Sequence, residues 1–268
     1  MEEYIFIDGS YFIFYRVFAL KIWWRNAKPD IPLVNPFDNS EFVEKFESTF
    51  VSKIQEIQKK TKMKKAKIIV GCDCKQSKIW RKQYYENYKD GRDETKNKEY
   101  NIDQFFKLTY ENKLFEKAGA ELMLQMDTLE ADDCIALYVK HLQSKNINNK
   151  IVIITSDHDY LQLGGDNISI MNLKYKHLIE SKNSTGIPEK DLFNKIVMGD
   201  KSDNILPIFK KCPKKILELC FEDKKYFENK CSEENVVQNF QLNRLLIDFE
   251  FIPEDLKISF EKKYLVHE

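Results

Sequence analysis

No apolar run reaches the ~18 residues that a membrane-spanning helix needs, so the chain offers no such span. Its first residues, M-E-E-Y-I-F-I-D, lack the basic stretch of a secretory signal and read as a strand. The six cysteines (72, 74, 134, 212, 220 and 231) include no C-x-x-C pair and no histidines at zinc-site spacing. That excludes a zinc site and a disulfide framework, and predicts reduced thiols in an intracellular protein. Net charge is missing too: 43 Lys and Arg balance 43 Asp and Glu. What remains is ordinary for a globular protein, 43% hydrophobic and 32% charged, with eight glycines and seven prolines in 268 residues. Such a length holds one large domain, or a core with an appendage.

The zero balance hides a division. Between residues 53 and 98 stand fifteen Lys or Arg against six Asp or Glu, and acids elsewhere compensate. The opposite concentration falls at 126–135, M-D-T-L-E-A-D-D-C-I, where Glu130, Asp132 and Asp133 open an apolar helical segment. One helical turn puts Glu130 and Asp133 on one face. Like charges this close raise each other's pKa unless a cation holds them, and hard ions such as Mg²⁺ or Mn²⁺ suit the task. Alone, the stretch also reads as an acidic helix N-terminus facing water. The basic field beside it suits a polyanion cut at a metal site, although a lone lysine run also reads as a solvated helix face.

Taken in order, residues 4–8 (Y-I-F-I-D) read as a central buried strand with Asp8 at its C-terminal end. Residues 10–24 are aromatic and helical, 26–40 a proline-bearing loop, and 41–60 a helix with apolar residues at a 3.6-residue period. A second strand at 66–72 runs into Asp73, and a basic, aromatic stretch follows from 75 to 98. Residues 101–118 predict another amphipathic helix, and 120–125 a strand that leads into the acidic stretch. The strongest strand, 151–156, ends in Asp157-His158-Asp159, and 167–173 predict one more. Strands alternating with helices predict an α/β fold with a parallel sheet and helices on both faces. Four segments therefore deliver acids to one rim, and Gly199–Asn204 adds Asp200 and Asp203. Nine carboxylates there call for more than one divalent ion, and paired ions are the usual device for in-line displacement at phosphate.

Six motifs in this order then become familiar: I-D-G-S at 7–10, D-C-K at 73–75, Y-K-D-G-R at 88–92, L-E-A-D-D at 129–133, T-S-D-H-D at 155–159 and G-D-K-S-D-N-I at 199–205. Together, over residues 4–250, they resemble the 5′-nuclease superfamily of flap endonucleases, polymerase-linked 5′-nuclease domains and phage 5′-exonucleases. The resemblance implies a PIN-like core over 1–195 with a helical arch at about 75–101, and a helix–three-turn–helix duplex-binding region over 196–268. It implies Asp8, Asp73, Glu130, Asp132, Asp157 and Asp159 around two or more Mg²⁺ or Mn²⁺ ions, with Asp133, Asp200 and Asp203 as the further acids of the bacterial and phage branch. Lys89 and Arg92 match the basic gateway residues that would offset charge on the scissile phosphate, with Arg81 assisting and Lys82 nearby on the nucleic acid. Tyr88 matches a stacking platform for the terminal base. Trp80, Tyr84 and Tyr85, at helical spacing with Tyr88, also read as arch core, and His158 reads as pointing away from the metals.

One departure stands out. Relatives carry a glycine-rich hairpin whose open amides bind a monovalent ion and a DNA phosphate. Here residues 205–217 read I-L-P-I-F-K-K-C-P-K-K-I-L, without glycine. This calls the K⁺ site into question and leaves duplex binding to Lys210, Lys211, Lys214 and Lys215, which otherwise read as a solvated lysine loop. A closing helix is expected over 239–253, and neither a polymerase domain nor a clear sliding-clamp peptide follows. The resemblance thus implies a monomeric, divalent-metal-dependent, structure-specific 5′-nuclease for flapped, nicked or branched DNA with a 5′ single strand, RNA-primed ends included. The alternatives are a mainly exonucleolytic, RNase H-like primer remover and a catalytically silent junction binder. The second would show a lost acid or gateway lysine, and all are present.

Overall fold

Every predicted apolar run becomes a parallel strand. The computed structural model describes residues 1–90 and 102–266. Strands β1 (Glu3–Asp8), β2 (Lys67–Gly71), β3 (Ala120–Leu124), β4 (Lys150–Ile154) and β5 (Ile168–Met171) form one sheet in the order β3-β2-β1-β4-β5. Central β1 is covered on both faces, and Ile5, Phe6 and Ile7 are fully buried, which is why its text is a continuous apolar run. The register sets Asp8 opposite Gly71 and Ile7 opposite Ile154. Asp73 and Asp157, each a few residues past those partners, therefore emerge at the edge where Asp8 ends.

Helices cover both faces. On one lie α1 (Gly9–Ala27), α2 (Ser40–Lys60), α3 (Ile102–Glu111) and α4 (Leu114–Lys117). Helix α2 buries Phe42, Phe46, Phe50, Ile54 and Ile57, the stripe its periodicity predicted. Phe50 meets Phe12 edge-on with ring centroids 4.8 Å apart, and Phe46 meets Phe105 at 4.9 Å. The helix expected over 101–118 is two helices, because Lys113 takes a left-handed φ of 50° between α3 and α4. On the other face α5 (Ala131–Lys145) packs so closely on β2 that a Cβ at Gly71 would stand 2.8 Å from the Ala131 carbonyl oxygen.

The C-terminal part is helical: α6 (Pro188–Met198), α7 (Lys214–Glu222), α8 (Lys224–Glu233), α9 (Val237–Ile247) and α10 (Glu254–Tyr264). Val197, Phe209, Phe227 and Cys231 share a small apolar core there. Ile196 joins Ile79, Tyr88 and Leu246 in another. Residue 195, the expected domain boundary, thus lies inside a helix that packs on both halves. All six cysteines are free thiols. Among the described residues no helix is long and apolar enough to cross a membrane.

Candidate metal centre

The carboxylates at the sheet edge are held by donors from their own turns and from neighbouring strand and helix ends. Asp8 caps α1: one oxygen accepts from the Tyr11 amide at 3.0 Å, the other from the Thr155 hydroxyl at 3.1 Å. Asp73 accepts from the Ala131 amide at 2.9 Å and the Ser10 hydroxyl at 2.5 Å. Asp157 caps the 3-10 turn His158–Leu163, accepting from the Asp159 amide at 2.9 Å. Asp132 stands in the first turn of α5 and accepts from the Asp133 amide at 2.7 Å. Burial first, then the Asp73 and Asp157 carboxylates, pushes Asp8 up to about 7. Burial, Asp133 and Glu130 hold Asp132 well above the ordinary carboxylate range. Among the described residues no ion pair joins Asp8, Asp73, Asp132 or Asp157 to a cation, and the ligand atoms they offer are all oxygen. This set fits a hard divalent ion.

A second acidic group faces α6. Asp159, Asp200 and Asp203 each bring an oxygen within 4.8 Å of the others. Lys195 from α6 pairs with Asp159 and, at 2.7 Å, with Asp200. Burial opposes the Lys195 charge, but Asp159, Asp157 and Asp200 outweigh it and hold this lysine charged. Burial would likewise raise Asp200, yet Lys195 and Ser202 bring it down to about 2. The loop is closed by paired backbone bonds between Asp200 and Ile205, and Gly199 enters it at φ 69°. Sequence reasoning passed over Lys195, Ser10, Thr155 and Ser202. Three hydroxyls within two residues of an acid, in Asp8-Gly9-Ser10, Thr155-Ser156-Asp157 and Asp200-Lys201-Ser202, were the available signal.

Between the groups lies a buried ion network that revises several expected roles. Arg81 is 2% exposed and donates to both Asp133 oxygens, at 2.7 and 2.8 Å, and to Glu130 at 2.9 Å. In this arrangement it offers no face to a phosphate. Asp133, fully buried, also accepts from the Trp80 indole at 2.9 Å and the Glu130 amide at 3.1 Å. Its oxygens are thereby engaged within the protein. Glu130 caps α5 and receives Lys89, whose ammonium also lies 3.8 Å from Asp203. Burial would raise the Glu130 carboxyl; Lys89 and Arg81 override that and keep it below the usual range. Tyr88, expected as a base-stacking platform, is 2% exposed and donates from its hydroxyl to Glu130 and Asp203, each at 3.1 Å. Its ring is turned inward because the cations Arg81 and Lys89 cover it, 5.8 and 5.0 Å from the centroid.

The described part of the expected arch is not a long helix but two 3-10 turns, Gln76–Lys78 and Trp80–Gln83. Trp80 is buried there while Tyr84 is exposed. Lys82 pairs with Asp90 at 2.9 Å. Arg92 and the remainder of the arch fall outside the described residues. Lys210, Lys211, Lys214 and Lys215 are exposed around the start of α7, in the stretch that follows the Asp200–Asp203 loop. His158 bonds Ser181 at 2.8 Å.

The family described as the 5′-3′ exonuclease N-terminal resolvase-like domain matches residues 3–195, which contain every acid above except Asp200 and Asp203. The chain belongs to this 5′-3′ exonuclease family. Ribonuclease H of Enterobacteria phage T4 is 26% identical over 218 residues, 74% of this chain and 69% of that protein. A 5′-3′ exonuclease of Buchnera aphidicola is 31% identical over 144 residues, 52% of this chain and 47% of that one. A bacteriophage T5 flap endonuclease, solved as a pseudo-enzyme–product complex with DNA and metal ions, superposes with TM-score 0.64 at 19% identity over 98% of this chain and 97% of its own. That likeness shows the fold. It extends past residue 195, into the helices α6 to α10.

Proposed function

We propose that this member of the 5′-3′ exonuclease family is a divalent-metal-dependent, structure-specific 5′-nuclease that cuts phosphodiesters at 5′ flaps, nicks or branches in DNA. The observation that carries the reading is the convergence of Asp8, Asp73 and Asp157 at one sheet edge, with Asp8 pushed up to about 7 by burial and by those two carboxylates, together with the Glu130, Asp132 and Asp133 group at the start of α5. Asp159, Asp200 and Asp203 would form a second position. Mg²⁺ or Mn²⁺ bound there supplies an activated water and a Lewis acid for the leaving oxygen. Asp8 and Asp73 must be ionised to hold such an ion, and Thr155 and Ser10 keep their oxygens aimed at it. Lys89, buried and paired with Glu130 here, would exchange that carboxylate for the phosphate and offset its developing negative charge, and Arg92 would join it. The exposed lysines around α7 would hold duplex backbone electrostatically.

The phage T4 relative's name, ribonuclease H, favours a second reading in which short products leave one end of an RNA-primed strand. A 5′-labelled flap duplex and a nicked duplex of the same sequence, each with Mg²⁺ and then Ca²⁺, separate the two. Release of the flap in one piece supports the endonuclease. Stepwise short products from the nick support the second reading, and binding without cleavage in Mg²⁺ and Mn²⁺ overturns both.

A further inference from the structure

Arg81 joins two helix ends of opposite polarity. Its Nε donates at 2.7 Å to the carbonyl of Leu246, in the last turn of α9, where helix carbonyls lack partners of their own. Its other nitrogens meet Glu130 and Asp133, which cap the first turn of α5. The negative end of one helix, a cation, two anions and the positive end of the next thus stand in line, each step favourable. The guanidinium also lies 4.6 Å from the Trp80 ring centroid, which fixes its plane.

Helix α9 has a second tie, on the other acidic group. Asn243, buried one turn before Leu246, donates to the Ile196 carbonyl at 2.9 Å and the Leu206 carbonyl at 2.8 Å. Ile196 neighbours Lys195, and Leu206 follows the turn that carries Asp200 and Asp203. One helix end therefore holds both acidic groups, through Arg81 on one side and Asn243 on the other.

We infer that Arg81 is a positioning residue: with the Leu246 carbonyl it fixes Glu130 and Asp132 relative to Asp159, Asp200 and Asp203, so that α9 sets the spacing of the two cation positions. The inference rests on the proposed nuclease reading. Lysine at this place keeps the charge but loses the fork that spans Asp133, Glu130 and Leu246 at once. For Arg81→Lys, calorimetric titration with Mn²⁺ in the absence of DNA should show affinity ~10-fold or more below that of the native chain, as when a partner of a metal ligand is lost. On a flap substrate kcat should fall ~10- to 100-fold with KM within ~3-fold. Asn243→Ala, which cuts the other tie, should weaken Mn²⁺ binding in the same direction, and it serves where Arg81→Lys does not fold.

Native Mn²⁺ affinity in folded Arg81→Lys would overturn the inference and leave Arg81 a packing cation. A rise in KM alone would overturn it in favour of a direct DNA contact. If the native chain itself takes up no Mn²⁺ and cuts no flap, the parent reading fails instead.

Discussion

Asp8 does two things at once: its backbone-facing oxygen caps α1, and its carboxyl crowds Asp73 and Asp157. Raised from 3.8 to about 7, it binds a proton in the folded chain over a pH range where the unfolded chain has released it. Stability of the metal-free protein must therefore fall as pH rises from about 4 to about 7. We expect its Tm to drop by several degrees between pH 5 and pH 8, at ~2–4 °C per kcal/mol for a chain of this size. Saturating Ca²⁺ should flatten that slope, and a Tm independent of pH without metal would refute the crowding. Asp157 is the cleaner target for chemistry because it is exposed, so an amide in its place leaves no buried group unpaired. Asp157→Asn should reduce flap cleavage by at least ~10³-fold while Ca²⁺-supported flap binding persists. Full-rate cleavage by that variant would remove Asp157 from the metal centre. Lys89→Ala should lower kcat by ~10²-fold or more with flap affinity nearly unchanged; a loss of affinity alone would make Lys89 a positioning contact.

The loop between α6 and α7 depends on one glycine. Gly199 sits at φ 69°, and a Cβ there would lie 2.4 Å from the Ile205 carbonyl oxygen and 2.6 Å from the Leu206 carbonyl carbon. Backbone cannot step aside as a flexible side chain can, so Gly199→Ala should destabilise the chain by ~3 kcal/mol or more. Thermal melting tests this directly; an unchanged Tm would mean that the loop is free to rearrange. The same elements show how far the sequence could be read. Strands β1, β2 and β4 are apolar runs that lead into Asp8, Asp73 and Asp157, so the sheet and the acids at its edge were visible in the text. What stayed hidden is which acids are already paired. Glu130, Asp132 and Asp133 look alike in sequence, yet helical phase turns Asp133 inward to Arg81, while Asp132 accepts from the Asp133 amide. Arg81's third partner, Leu246, is 165 residues away, a distance no local pattern spans. Tyr88 was misread for the same reason: its aromatic face is consumed by Arg81 and Lys89, a tertiary event. Lys113 broke one predicted helix because periodicity says nothing about a single left-handed residue.

Across the whole molecule, a net charge of zero hides a separation that matters for a polyanionic substrate. The acids cluster at the sheet edge, where Lys89, Arg81 and Lys195 are already committed to them. Other cations are exposed to solvent, among them Lys201 in the Asp200–Asp203 loop and the four lysines Lys210, Lys211, Lys214 and Lys215 around the start of α7. If these hold phosphates, each contact releases condensed counterions from the duplex and steepens the dependence of affinity on salt by ~0.9 per phosphate. Replacing all four with alanine should then lower the slope of log K against log [salt] for a flap duplex by about 3 to 4. Because the four lie on α7 and the stretch before it and not on the sheet, kcat at saturating DNA should change by less than ~3-fold while KM rises. A slope that does not move would make the lysines a solvated face and shift duplex binding to another surface. A slope that falls with kcat would instead tie the grip on duplex to the geometry of the acids, the coupling that α9, Arg81 and Asn243 are placed to transmit.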